Sequence, residues 1–244
     1  LNVLTNGGPQ RAHSILTEDG SFTFQHFGSG TYHGAENYFS KFFIINPMQF
    51  VKEFDELTSR GVVLKDKIYR HPNCMWSTPY DMMANQIREE MRKGKKHGSC
   101  GMGIWETVKR YRSTVTINFD EFMSMESFQK VHYLNLIKLY FEKELEIEGE
   151  WKTIWNDNGI IEHFLSDCKF FKDATTILIK PTGFDNIVFE NGQGLMLSDP
   201  GYDKADTTPS FTGSRDAIEL AQEWDIPEND IVLHYVTRPY MTRH

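Results

Sequence analysis

The chain of 244 residues has only three cysteines, Cys74, Cys100 and Cys168. None stands in a CxxC spacing, which argues against a structural zinc site. Scattered, unpaired thiols fit a reducing compartment, so a cytoplasmic location is expected, in the host if the source is viral. Positive charge is in deficit: 26 lysines and arginines face 34 aspartates and glutamates, a formal net charge of −8. A phosphate backbone needs clustered cations, so no nucleic-acid partner is expected. A small nucleotide stays open, because a few basic groups and backbone amides can hold it. No apolar run reaches the roughly 20 residues of a membrane span, and no signal peptide is visible. Repeats, low-complexity tracts and Pro/Gly/Ser linkers are also lacking. Hydrophobic residues at 39% and aromatics at 14% are enough to build a packed core, which excludes wholesale disorder.

The patterning that is present reads as α/β. "LNVLT" is a short apolar strand before Gly7-Gly8. "SFTFQHF" from Ser21 alternates as a half-buried strand does, and "ENYFSKFFIIN" from Glu36 is a further strand region. Asn46-Pro47 starts a helix whose stripe is Phe50, Val51, Phe54 and Leu57, with Gly61 at its stop. Thr78-Pro79 repeats that grammar, with Met82, Met83, Ile87 and Met91 ahead of Gly94. A third helix is expected from Ser127 to Glu146. "TTILIK", "NIVFE" and "IVLHYV" have the composition of central strands covered on both faces. The prediction is one domain over 1–244, a mostly parallel central sheet flanked by helices. Ligands of such sheets collect at the carboxyl ends of the strands.

Four loops carry unusual chemistry: "GGPQRAHS" from Gly7, "KKHGSCGMGIW" from Lys95, "ENGQG" from Glu190 with Thr207 to Ser214, and "TRPYMTRH" from Thr237. A glycine pair after a strand is ordinarily a turn, and a lone histidine such as His13 is ordinarily structural. The run Lys93 to Lys96 suits a solvated helix end. "GSCGMG" fails the triphosphate P-loop pattern, since no Lys-Ser/Thr follows its last glycine, yet consecutive amides there could still cradle a phosphate. Cys100 would act as a nucleophile only beside a base in an electropositive setting.

Taken in order, these loops resemble the adenylosuccinate synthetase family. "GGPQRAH" is similar to its GGxNAGH loop, "QHFGSG" to its proline-serine-glycine turn, "FIINPMQF" to a strand running into Asn-Pro and a helix, "GSCGMGIWE" to GTTGRGIGP, "FENGQG" to FEGAQG, and "MTRH" to the start of STRVGAGP. The resemblance implies a carbon–nitrogen ligase, a homodimer that uses Mg²⁺ and ATP or GTP. It phosphorylates O6 of a 6-oxopurine monophosphate (inosinate, guanylate or deoxyguanylate), and aspartate then displaces that phosphate. By position, His13 would be general acid or oxyanion stabiliser and Gln193 would bond at the purine and its 6-phosphoryl group. Gln10, Ser99, Cys100, Thr208, Arg112 and Arg243 would bind the substrate nucleotide, and Ala12 would offer its backbone to the metal. Arg11-Ala12 for Ala-Gly, Ser99-Cys100 for Thr-Thr and Trp105-Glu106 for Gly-Pro depart from the pattern. "SCGMG" and "TRPYMTRH" look like the viral branch that makes 2-aminoadenylosuccinate from deoxyguanylate. The family's triphosphate loop would precede Leu1 and its aspartate-binding loop would follow His244, so residues 1–244 alone are expected to lack ligase activity; the alternative is a non-catalytic nucleotide-binding protein.

Overall fold

The computed structural model describes residues 1–18, 20–92, 98–113, 115–198 and 207–237. In order, the chain forms β1 (Asn2–Leu4), β2 (His13–Thr17), β3 (Gly20–Phe24), β4 (Asn37–Phe39), β5 (Ile44–Ile45), α1 (Pro47–Ser59), β6 (Ile68–Arg70), β7 (Met75–Trp76) and α2 (Pro79–Met91). It continues through α3 (Ile104–Tyr111), α4 (Phe119–Ser124), α5 (Ser127–Glu142), α6 (Gly149–Trp155) and α7 (Asn158–Ala174). Then come β8 (Thr176–Ile177), β9 (Val188–Glu190) and α8 (Arg215–Glu223).

The helix starts follow their local signals. The Asn46 side chain accepts from the backbone N–H of Gln49 at 3.0 Å, satisfying one of the donors a helix start leaves free. α1 ends at Ser59 with Arg60 as its cap, and Gly61 adopts φ +82°, the left-handed stop that a Cβ would strain. Thr78 opens α2 with a reciprocal capping box to Asp81. The predicted Gly94 stop lies outside the described residues. α5 ends at Glu142, four residues before its predicted limit.

Five strands form one sheet in the order β8-β6-β4-β1-β9, every pair parallel. β2 and β3 form a separate antiparallel hairpin, with His13 opposite Phe24. "ENYFSKFFIIN" divides between two sheets, since the turn Ser40–Phe43 separates β4 from β5, which pairs with β7. Three expected strands need correction. β8 and β9 are edges of the sheet, with Val188 and Ile177 exposed. Residues 231–237 form no strand, and Val232, Leu233, Tyr235 and Val236 face solvent. An apolar β-branched run signals strand propensity, but pairing partners decide whether it is central, edge or free. Among the described residues, no helix is long and apolar enough to cross a membrane.

The main core is aromatic and lies between the sheet and α1, α2, α5 and α7. His26 sits inside it, with edge contacts to Phe39, Phe43 and Phe50 at 4.7, 5.2 and 5.4 Å between ring centroids. Its Nε2 accepts from the Asn46 N–H at 3.1 Å, so Nδ1 carries the proton. Burial, then the charge of Arg11, lowers its pKa to about 3. Glu53 on α1 receives the N–H groups of Gln25, His26 and Phe27 at 3.0, 2.6 and 3.1 Å and so holds the exit of β3. Burial raises Glu53 to about 7, against those three donors.

The two groups have opposite effects on stability. The unfolded His26 ring takes a proton near 6.5 and the folded ring only near 3, so its contribution falls as pH drops through that window. Glu53 favours the folded state as pH falls from about 7 toward its unfolded value. His26→Leu should therefore flatten the acid-side decline of the urea midpoint between pH 6.5 and 4. An unchanged decline would contradict the buried, neutral ring.

Candidate active site

β1 and β9 are adjacent and parallel, so their carboxyl ends deliver two loops to one place. Leu4 leads into Thr5–Gly8 and Glu190 leads into Asn191–Gly194. Side chains tie the loops together. Thr5 Oγ1 donates to Asn191 Oδ1 at 2.5 Å, and the Gly192 N–H donates to Asn6 Oδ1 at 2.8 Å. Asn6 Nδ2 reaches the Phe211 carbonyl at 2.8 Å, while Asn191 Nδ2 reaches the Thr212 and Gly213 carbonyls. The segment that carries Thr208 is thereby drawn to the same end of the sheet.

A third loop arrives with α3. Gly8 packs so closely that a Cβ there would fall 2.7 Å from Ile104 Cδ1 and 2.8 Å from the Ile44 carbonyl oxygen. This contact brings the turn Gly98–Gly103 beside the Gly7 loop. Gly103 adopts φ +71°, and a Cβ on it would lie 2.5 Å from the Asp81 carbonyl carbon. Beneath the turn, Arg110 of α3 and Asp81 of α2 form a fully buried pair, with Nε–Oδ1 at 2.9 Å and Nη2–Oδ2 at 3.0 Å. Gly103→Ala should cost more than about 1 kcal/mol in urea unfolding and displace the turn, since both φ and the neighbouring backbone forbid the methyl. A neutral result would mean that α2 and α3 can separate.

Where the loops meet, Glu190 gathers five donors. Oε1 pairs with Arg11 and lies 2.6 Å from His13 Nδ1. Oε2 accepts from Asn2 Nδ2 at 2.9 Å and from the Ser29 N–H and Oγ at 3.0 and 3.1 Å. Burial opposes the charge, but the His13 hydrogen bond, Arg11 and Asn2 outweigh it and bring the carboxyl to about 2. His13 opens β2 with its side chain 30% exposed, whereas that of Arg11 is fully buried. The site is thus an ionised carboxylate, a buried cation and an accessible imidazole within hydrogen-bond reach of one another.

The other expected residues divide. The Gln10 amide is buried with no partner among the described residues, folded against Gly7. Gln193 is half-buried in the turn after β9. Thr208 is buried, and its N–H donates to the Leu197 carbonyl at 2.8 Å. Ser99 Oγ donates to Asn85 Oδ1 at 2.8 Å. Cys100 is exposed as a residue, yet crowding at its sulfur raises its pKa, which disfavours the thiolate nucleophile. Arg112 caps the carboxyl end of α3, about 13.5 Å along the helix from Gly103. Arg243 and the loop from Arg238 onward, like the run Lys93 to His97, lie outside the described residues. Glu190 received no role from the sequence, although a carboxylate ending an apolar strand was the available signal.

Among the described residues, no cluster of three or more His, Cys, Asp or Glu could hold a metal. Ala12 is exposed and offers one backbone oxygen, whereas Mg²⁺ takes an octahedral oxygen set. The described residues do not build a magnesium site by themselves.

Glycine loops and charged side chains gather at the carboxyl ends of the parallel strands of this α/β protein, where ligands of such sheets collect. The chain belongs to the adenylosuccinate synthetase family, whose model matches residues 1–244. It is 24% identical over 205 residues to the adenylosuccinate synthetase of Psychrobacter cryohalolentis, covering 78% of this chain and 45% of that protein. Against the enzyme of Lactobacillus helveticus it is 24% identical over 209 residues, covering 81% and 46%. The chain thus spans about half the length of the curated relatives it matches. Its fold is similar to that of fully ligated adenylosuccinate synthetase from Plasmodium falciparum, with TM-score 0.60, 16% identity, and 95% of this chain and 54% of that one covered. It is also similar to cyanophage S-2L succinoaminodeoxyadenylate synthetase bound to dGMP and dATP as an energy donor, with TM-score 0.51, 14% identity, and 93% and 52% covered.

Proposed function

We propose that this chain is the nucleotide-monophosphate half of a purine ligase that joins aspartate to C6 of a 6-oxopurine monophosphate. The observation that carries the reading is the His13–Glu190 hydrogen bond at the meeting point of the Gly7, Gly98 and Glu190 loops. The oxygen at C6 is a poor leaving group until phosphorylated, and charge grows on it as aspartate attacks. A proton donor at that oxygen lowers the barrier, and His13 is the accessible group suited to the task. Gln193 and Gln10 would orient the base. The turn around Ser99 and Cys100, together with Thr208, would take the monophosphate. ATP or GTP would supply the phosphoryl group. Arg112 and Arg243 would approach the phosphate and ribose, one of them across a homodimer.

Deoxyguanylate or guanylate is the favoured substrate and inosinate the second. The departures at Arg11, Ser99 and Cys100 support this order, and so does the likeness to the phage enzyme that holds dGMP. The test uses a chain that also carries the family's triphosphate- and aspartate-binding segments. Aspartate, ATP or GTP, and inosinate or (deoxy)guanylate are supplied pairwise, and the succinyl nucleotide is measured. Absence of product from every pair would refute the ligase reading. Retained monophosphate binding without turnover would favour a non-catalytic binding protein.

A further inference from the structure

We propose that the outer face of α5 is a docking surface for a second copy of this chain. The two helices would lie antiparallel across a two-fold axis at the level of Leu134. The proposal goes beyond the ligase reading, which invokes a homodimer without assigning its surface. It stands on the apolarity, shape and charge of that face.

α5 is apolar on both sides. Tyr133, Leu134, Ile137 and Phe141 are buried in the core. On the other side Phe128, Val131, Leu136 and Leu139 are 73%, 37%, 41% and 52% exposed. Phe128 and Leu139 are about three turns apart, so they stand on one line along the helix. A helix at the surface of a globular protein normally turns a polar face outward, and one that is apolar all round belongs in an interior. Four large apolar side chains grouped on one face differ from scattered exposed ones and mark a contact site.

The face is complementary to itself. Between α5 and the segment that follows α3 runs a groove of about 460 Å³, lined by Val115, Ile117, Leu136, Leu139 and Tyr140 among others. A two-fold axis at the level of Leu134 brings Phe128 of one copy opposite Leu139 of the other, at this groove. An aromatic anchor thus meets an apolar recess, and the contact occurs twice. The same axis brings Lys143, the carboxyl cap of one α5, to Glu126, the amino cap of the other; both residues are exposed. The midpoints of the pairs Phe128–Leu139 and Glu126–Lys143 fall about one residue apart, or about 1.5 Å along the helix, so one axis serves both. A parallel copy would instead set Lys143 against Lys143 and Glu126 against Glu126, which is repulsive at both ends. Arg112 stands three residues before Val115, within about 10 Å of the groove wall. This interface therefore carries the carboxyl end of α3 to the partner copy.

The test is association of the full-length protein, measured by analytical ultracentrifugation. The wild type should sediment as a dimer. Phe128→Asp and Leu139→Asp should each raise the dimer dissociation constant by about a hundredfold or more, since each charge enters the apolar contact twice. Their far-UV circular dichroism should be unchanged, because both side chains are exposed in a single copy. Glu126→Lys and Lys143→Glu should each weaken self-association about tenfold. An equimolar mixture of these two variants should associate as tightly as the wild type. In the mixed dimer the two reversed charges meet at one end and the two native charges meet at the other. A monomeric wild type overturns the proposal and leaves the face to another segment of the chain. A dimer indifferent to Phe128→Asp and Leu139→Asp places the interface elsewhere and overturns it as well. A mixture no tighter than either variant alone refutes the antiparallel arrangement. Product formation is scored separately, so failure of the ligase reading leaves these results standing.

Discussion

His13→Ala is expected to lower kcat of the complete ligase by about a hundred- to a thousandfold, equivalent to about 3–4 kcal/mol of transition-state stabilisation. Monophosphate affinity should change little. The imidazole meets the oxygen at C6 only as charge develops there, so its removal acts on the barrier more than on the ground state. The structure supports a separation of the two effects. His13 stands at the start of β2 on the Glu190 side of the site, whereas the turn proposed for the phosphate is built by Gly98–Gly103 and braced by α2 and α3. Steady-state kinetics paired with calorimetric binding of the monophosphate checks the prediction. A parallel loss of affinity and turnover would show His13 acting as a binding residue. Unchanged turnover would remove it from the chemistry.

Arg110→Ala is expected to destabilise the chain by about 3–5 kcal/mol, the usual cost of leaving one member of a buried ion pair alone. Asp81 would keep only the Thr78 N–H and Oγ, at 2.7 and 2.8 Å, in a position closed to water. The Trp76 carbonyl would lose its donor as well. Asp81→Asn combined with Arg110→Met should recover part of the loss, because no unpaired charge remains. Urea unfolding of the wild type, Asp81→Asn, Arg110→Met and the double variant gives the coupling energy directly. A single-variant loss below about 1 kcal/mol would mean that water reaches Asp81. The pair also ties α3 to α2 beneath the Gly103 turn.

Much of this was legible locally. Asn46-Pro47 and Thr78-Pro79 mark helix starts because a cap and its N–H partner lie within three residues of each other. "GGPQRAH", "GSCGMG" and "ENGQG" were readable as loops because glycine and short polar side chains disfavour regular structure. Their order along the chain carried the family, which the match over 1–244 bears out. Less was legible where partners lie far apart. The helices α3, α4, α6 and α7 have no reading in the sequence, and His13-Ser14, read there as loop, open β2, because its partner β3 supplies half the hairpin.

The sequence by itself determined the α/β class, the positions of the caps and the membership of the three loops, since each depends on neighbours a few residues apart. Only the tertiary structure decided that β8 and β9 are edges and that residues 231–237 pair with nothing in the sheet, because strand order is settled between segments. It alone brought Glu190 to His13 across 177 positions and buried Arg11 against both. The reason is that a hydrogen bond requires a distance near 3 Å, and no spacing along a chain specifies that distance until the sheet has aligned β1 with β9.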